Sequence, residues 1–483
     1  MKQRVFLLLS LLVLSMWTRA QAAYVDSAYT YQQTSDISYG QAVDFAGNVR
    51  DLTMDICVPV GDNPGPNGRP LMVLVHGGAF IAGSKADPNI VRMMHEFAER
   101  GYVTAAINYR LGMFNSEQER ICHISDLFDI PWTCLNQQDS SEWFRAAYRG
   151  AQDAHGAIRF LINQAGNYAI DPSRVFLVGE SAGAFIALEA AYLDESIEKL
   201  APYGPLPNAL PPFASAYEVK CIQTYGFDTS IASMSLARPD LGSVRGTMNP
   251  TAIDYTIKGV GSFYGGMMHN LLGQSACANP AVLYMFHQYD DLIVPIGNSY
   301  VLQGYQDCFY GVCGYIFDRA RSMGSKAIRQ RIDTYNAIGN PGPDYIYRFD
   351  STNSNTGCGQ VNVPYVGHSI DNFDLRTHNM AVFFNNYIGT NQGCTVVDAA
   401  ESVTGHLIVY PNPTQGQLRI RTSAGDQLHR ATLRDLQGKT LHTWDFPTSP
   451  EQQITLPDGL AHGLYLLQVE TQGGSLNKVI SLQ

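Results

Sequence analysis

Gly179-Glu180-Ser181-Ala182-Gly183 follows the apolar run Val175 to Val178 and opens a helical pattern at Ala182. A serine on such a sharp strand-to-helix turn sits in a strained backbone conformation. Glycines two residues to either side remove the side chains that would clash there. The turn lifts the hydroxyl above the sheet edge, beside the free N–H groups of a helix N-terminus. The chemistry this suits is nucleophilic attack on an electrophilic carbon, with Ser181 as the attacking group.

Such an attack leaves a negative charge on oxygen, and that oxyanion needs backbone N–H donors. His76-Gly77-Gly78-Ala79-Phe80 directly follows the apolar run Leu71 to Val75, and its glycines let the backbone approach closely. Gly78 and Ala79 are the expected donors, with the N–H of Ala182 as a third. Gly78 to Lys85 also spells a near-miss of a phosphate-binding loop, but its Lys and Ser are inverted, so nucleotide binding is unsupported.

A serine nucleophile needs a base, and the base needs an orienting carboxylate. His287-Gln288-Tyr289-Asp290-Asp291-Leu292-Ile293-Val294-Pro295 follows the run that begins at Val282. It offers two adjacent acids, and side-chain direction flips between neighbours. The base is expected last, in a loop before a terminal helix. His368 follows Gly367 in a polar stretch, and a helical pattern resumes by Thr377. Its rivals are His378, inside that helical pattern, and His287, which precedes the acid against the order Ser…Asp…His.

Several elements must hold these groups. Leu71 to Val75, Val103 to Ile107, Val175 to Val178 and Val282 to Phe286 read as strands buried on both faces of a mainly parallel sheet. Helical patterns such as Ala151 to Gln164 and Ala182 to Leu193 lie between them. This alternation predicts a doubly wound α/β sheet over residues 23–395. The pattern changes across a linker at 396–405. Over 406–483 short alternating segments recur between turn signals: Gln417 to Arg421, Ala431 to Asp435, Ile454 to Leu456, Leu464 to Val469 and Lys478 to Leu482. They predict a separate β-sandwich of about seven strands.

Residues 1–22 read as an export signal. Lys2 and Arg4 precede the apolar run Val5 to Leu14, and Ala20-Gln21-Ala22 is a small-x-small cleavage pattern. The run is short for a membrane span, and no later segment is apolar enough to cross a bilayer. The formal net charge of −11 disfavours nucleic acid as a partner. An exported chain meets an oxidising environment, and nine cysteines leave at least one outside any intramolecular pairing. Closeness suggests Cys122 with Cys134 and Cys308 with Cys313. No C-x-x-C or H-E-x-x-H pattern points to a metal.

Residues 23 to about 395 resemble the bacterial carboxylesterases and lipases of the α/β-hydrolase superfamily. The matching motifs are H-G-G-A-F at 76–80, A-I-N-Y-R-L-G at 106–112, Y-R-G-A-Q-D at 148–153, D-P-S-R-V-F-L-V-G-E-S-A-G-A at 171–184, H-x-x-x-D-x-x-V-P at 287–295 and G-H at 367–368. The elbow wording is also similar to type-B carboxylesterases, which are longer and usually carry Glu as the acid. The resemblance selects Asp291 over Asp290. It implies a Ser181-His368-Asp291 triad, an acyl-enzyme intermediate and no metal or organic cofactor. Ala79 stands where Gly is commoner.

Residues 407–483 resemble the sorting domain of type IX secretion cargo. The motifs are Val409-Tyr410-Pro411-Asn412-Pro413-Thr414 at the start, then Gly463-Leu464-Tyr465 and Lys478 near the end. The resemblance implies export through the periplasm of a Gram-negative bacterium to the cell surface or medium, with outer-membrane secretion machinery as a partner. Met113 to Trp143 and Leu193 to Tyr255 are insertions of the kind that supply lids in this superfamily, or else ordinary surface loops. The expected function is hydrolysis of a small-molecule or polymer-linked carboxylic ester. The alternatives are a serine peptidase on the same fold and a non-catalytic surface binding or adhesion protein.

Overall fold

The structure is a computed structural model. It describes residues 23–45, 47–112, 140–193, 200–209, 236–272, 279–304, 320–337, 342–350, 367–396, 407–410, 414, 416–422, 427–435, 439–457, 459–461, 463–471 and 474–482. The chain divides into two compact units, Met1–Val397 and Asp398–Gln483.

The first unit is organised by one large sheet. Its strands are β1 (Thr30–Val43), β2 (Val49–Val60), β3 (Arg69–Val75), β4 (Val103–Ile107), β5 (Ile170–Glu180), β6 (Tyr255–Phe263), β7 (Val282–Gln288) and β8 (Tyr345–Asp350). They lie in the order β1-β2-β4-β3-β5-β6-β7-β8. β2 is antiparallel to both its neighbours, and every later pair along this path is parallel. A short strand β9 (Cys394–Val396) pairs antiparallel with the start of β6.

The apolar runs form central strands because both of their faces are covered. Leu71, Val73 and Val75 of β3 enter one core, and Met72 and Leu74 enter the other. Val175 and Leu177 of β5 part from Phe176 and Val178 in the same way. This is the period-two split of a pleated strand. The first core takes buried residues from α2 (Ser140–Asn163), α3 (Ala182–Tyr192) and α4 (Ser325–Ala337). The second takes them from α1 (Pro88–Glu99) and α5 (Phe373–Asn385). The expected doubly wound α/β architecture is therefore present. α1 starts where the sequence says it can: Pro88 opens it, and the Asp87 carboxylate accepts from the Asn89 N–H at 3.0 Å.

Two boundaries differ from expectation. α2 begins at Ser140, well before the expected Ala151, because Trp143, Ala146 and Ala147 continue its buried stripe. The last residues of the first expected insertion are thus helix. β9 runs one residue past 395, and Val396 is buried in the first core. The second insertion is pinned where it is described. Arg145 donates to the carbonyls of Pro202, Gly204 and Pro239, Tyr148 to that of Gly242, and Gln152 to those of Leu241 and Ser243. The expected export signal 1–22, residues 113–139 with Cys122 and Cys134, and the suggested partners Cys308 and Cys313 lie outside the described residues, as does nearly all of the expected linker. Cys57 is free and buried.

The second unit holds seven strands among its described residues: β10 (Leu407–Tyr410), β11 (Gln417–Thr422), β12 (Leu428–Arg434), β13 (Thr440–Ser449), β14 (Glu451–Thr455), β15 (Gly463–Thr471) and β16 (Gly474–Leu482). They form two sheets, β10-β11-β14 and β13-β12-β15-β16. Val409, Leu418, Ile420 and Ile454 from one sheet share a single apolar cluster with Leu428, Leu433, Leu467 and Val469 from the other. Two sheets closed on one core are a β-sandwich.

Candidate active site

Ser181 sits between β5 and α3 with φ 51° and ψ −123°. That is a left-handed conformation rarely held by a residue with a side chain. Two contacts hold it: the Ser181 N–H donates to the Phe263 carbonyl at 3.0 Å, and the Ser181 carbonyl accepts from the Ala184 N–H at 3.0 Å. The flanking glycines are required by close approach. A Cβ on Gly179 would collide with the Gly183 carbonyl, and one on Gly183 with the Val75 carbonyl.

The loop after β3 runs beside the elbow, for a Cβ on Gly77 would lie 3.1 Å from that of Ser181. Ala79 and Phe80 take left-handed conformations, with φ 52° and 65°. Glycine at 79 would adopt that φ without strain, so the alanine carries a backbone cost of about 1 kcal/mol. Among the described residues, the N–H groups of Gly78, Ala79 and Ala182 have no hydrogen-bond partner. His76 anchors the loop's start. Its ring stacks on Tyr109 at 4.5 Å, its Nδ1 lies 2.7 Å from the Gly77 carbonyl, and burial pushes its pKa down to about 4.

The loops after β7 and β8 bring the other two groups in. The Ser181 Oγ lies 2.7 Å from His368 Nε2, and His368 Nδ1 lies 2.7 Å from Asp291 Oδ2. The structure therefore joins Ser181, His368 and Asp291 in one hydrogen-bonded chain. Asp290 is half-buried and is not in that chain. Of the rival histidines, His378 lies on an exposed face of α5, and His287 is buried beneath the acid.

Asp291 is a buried carboxylate whose donors suit its charged form. Its Oδ1 accepts from the backbone N–H groups of Ile293 at 2.8 Å and Val294 at 2.9 Å. Burial pushes its pKa up, but His368 and the hydrogen bonds from both imidazoles outweigh burial and hold it below the usual carboxylate range. Two contacts lock the residues around His368 onto those that precede Asp291. Gln288 Nε2 donates to the Ser369 carbonyl at 2.9 Å, and Gly367 packs on the Asp290 carbonyl.

Behind Ser181 lies a cluster that sequence reasoning missed. Glu180 is buried, and its carboxyl accepts from Asn89 Nδ2 at 3.1 Å and from the Tyr264 hydroxyl. Burial, then the charge of Asp87, pushes the Glu180 pKa up to about 8. The Tyr264 ring packs edge-on to His368 at 4.5 Å. An ionisable residue inside the elbow motif was the one available signal, since burying it requires partners. Among the described residues, no group of three or more His, Cys, Asp or Glu side chains is arranged to hold a metal ion.

Comparison with known proteins finds family matches in each of the two units. Residues 54–126 and 142–217 match the BD-FAE family, and residues 408–483 match the family described as Secretion system C-terminal sorting domain. A probable isoprenylcysteine alpha-carbonyl methylesterase of Arabidopsis thaliana is 27% identical over 177 residues, covering 36% of this chain and 32% of that protein. A carboxylesterase of Aspergillus clavatus is 26% identical over 177 residues, covering 36% and 28%. The bile salt-activated lipase of Mus musculus is 28% identical over 175 residues, covering 35% and 23%. The chain thus spans about a third or less of the length of these curated relatives. Among solved structures, Thermogutta terrifontis esterase 2 phosphorylated by paraoxon is similar at 16% identity and TM-score 0.36, covering 74% of this chain and 94% of that one.

Proposed function

We propose that this chain, an esterase-like α/β-hydrolase with a C-terminal secretion-system sorting domain, is an exported serine carboxylic-ester hydrolase. Ser181 Oγ attacks the ester carbonyl as His368 Nε2 takes its proton. Asp291 accepts from His368 Nδ1–H, which selects the imidazole tautomer and stabilises the imidazolium that forms. The N–H groups of Gly78, Ala79 and Ala182 receive the oxyanion. His368 returns the proton to the leaving alcohol, and water activated by the same imidazole releases the acid from the acyl-enzyme.

The observation that carries this reading is the pair of 2.7 Å contacts linking Ser181 to His368 and His368 to Asp291. A scaffold kept only for binding would have no need to hold a strained serine against an oriented imidazole. The test is a p-nitrophenyl ester assay on purified full-length protein. A burst of nitrophenol followed by steady turnover is expected, and Ser181→Ala is expected to lose about six orders of magnitude in kcat. Substantial turnover by Ser181→Ala would put the nucleophile elsewhere.

The sorting-domain match supports a second part of the reading. Residues 1–22 direct the chain to the periplasm of a Gram-negative bacterium, and the C-terminal β-sandwich is read by outer-membrane machinery. Mass spectrometry of the exported protein tests this, with loss of the tail near residues 396–405 expected. An intact C-terminus on most exported molecules would contradict it.

A further inference from the structure

We propose that His287 is a positioning residue for Asp291, holding its carboxylate in place through a tautomer that Ser325 selects. This rests on the reading of Ser181, His368 and Asp291 as a triad. His287 Nε2 lies 3.1 Å from Asp291 Oδ2, the oxygen that also faces His368. With the Ile293 and Val294 N–H groups on Oδ1, the carboxylate has four donors. An ionised carboxylate offers about four lone-pair sites, so each has a partner and the group has no hydrogen-bonded alternative to turn toward.

The geometry around His287 sets where its proton lies. Nε2 faces two acceptors, Asp291 Oδ2 and the Val294 carbonyl at 3.0 Å, so the proton belongs there. Nδ1 faces the Ser325 Oγ at 3.0 Å, a hydroxyl that can donate to it. A single chain then runs from Ser325 through His287, Asp291 and His368 to Ser181. Both His287 and Ser325 are fully buried.

Packing alone does not account for an imidazole at this position. The preceding residues Tyr284, Met285 and Phe286 serve the two cores as buried apolar or aromatic groups. A buried imidazole costs free energy unless its nitrogens are satisfied, and here Nε2 meets Asp291 and the Val294 carbonyl while Nδ1 meets Ser325. The hydrogen bond from His287 also helps keep Asp291 ionised, against the effect of burial. When His368 takes the proton from Ser181, the acid must remain charged and stationary. The extra donor serves both needs without touching the ester.

The test is steady-state kinetics on the full-length chain with p-nitrophenyl acetate. His287→Leu removes the donor. It should lower kcat about 10- to 100-fold, the scale of one hydrogen bond to a charged group, with KM within about twofold. His287→Gln places an amide N–H near the Nε2 position and should recover kcat to within about threefold of wild type. Ser325→Ala should lower kcat severalfold, again with KM unchanged. If His287→Leu does not fold, Ser325→Ala and His287→Gln still decide the matter. Wild-type kcat in Ser325→Ala together with a Gln variant as impaired as an apolar replacement would overturn the proposal, since only volume would then matter. Equal kcat in all three variants and wild type would also overturn it. These failures are separable from failure of the triad itself. In that case wild-type protein would neither turn over the ester nor be labelled at Ser181 by a fluorophosphonate.

Discussion

The Tyr264 hydroxyl donates to the Glu180 carboxyl directly behind Ser181, while the Tyr264 ring packs on His368. The residue before Ser181 and a neighbour of His368 are thereby one unit. That unit includes a carboxyl kept protonated by burial and by Asp87.

This gives a pH signature. Folded Glu180 holds its proton to about pH 8, whereas the ordinary value is 4.5. Between those limits the unfolded chain binds fewer protons, so stability falls as pH rises, by up to about 1 kcal/mol per pH unit. Glu180→Gln should abolish that part of the slope. Urea unfolding at pH 5, 7 and 9 should show the variant gaining on wild type toward high pH. Parallel slopes would mean that Glu180 is ionised in the folded protein.

Two buried histidines act in the opposite direction. Burial, and for His155 also the charge of Arg159, lowers the pKa of His155 to about 3, and burial lowers that of His76 to about 4. The unfolded chain protonates both near 6.5, so it binds more protons below that pH and stability falls on acidification. His155→Asn keeps a group to meet the Tyr255 hydroxyl. Between pH 6.5 and 4 it should flatten the slope by close to one proton, read from denaturant midpoints.

The two neighbouring acids should separate in kinetics. Asp291→Asn should reduce kcat by roughly four orders of magnitude, because the imidazole would be held in the wrong tautomer. Asp290→Asn should cost less than about tenfold, since its carboxylate is outside the hydrogen-bonded chain. A larger loss from Asp290→Asn in the same ester assay would invert the assignment.

The end of the first unit makes a prediction about truncation. A chain ending at Val397 keeps β9 and the buried Val396 and should hydrolyse esters at close to the full-length rate. A chain ending at Gly393 strips the pairing from the start of β6 and removes one buried valine, a loss of about 2 kcal/mol. Comparing urea midpoints of the two truncations measures that difference.

What the sequence determined by itself was local. The four apolar runs are strands because alternate residues of a buried strand must both be apolar, and this is visible in five residues. The elbow at Ser181 and the turn at His76 are legible because their backbone demands fall on glycines within the same motif. β1 was not legible, because it is exposed along most of its length and no buried face marks it, whereas Leu52, Met54 and Ile56 of its partner β2 alternate into the core. The choices among Asp290 and Asp291, and among His287, His368 and His378, belonged to the tertiary structure. Resemblance could favour one of each, but side-chain chemistry is the same within each set. Ser181 and His368 stand 187 residues apart and meet only because β5 and β8 run in the same direction in one sheet, so the residues that follow them lie at one end of it. Only that arrangement could set one histidine against Ser181 and another against Asp291. His368 reaches Asp291 across 77 residues and Ser325 reaches His287 across 38, and no local pattern records those two contacts.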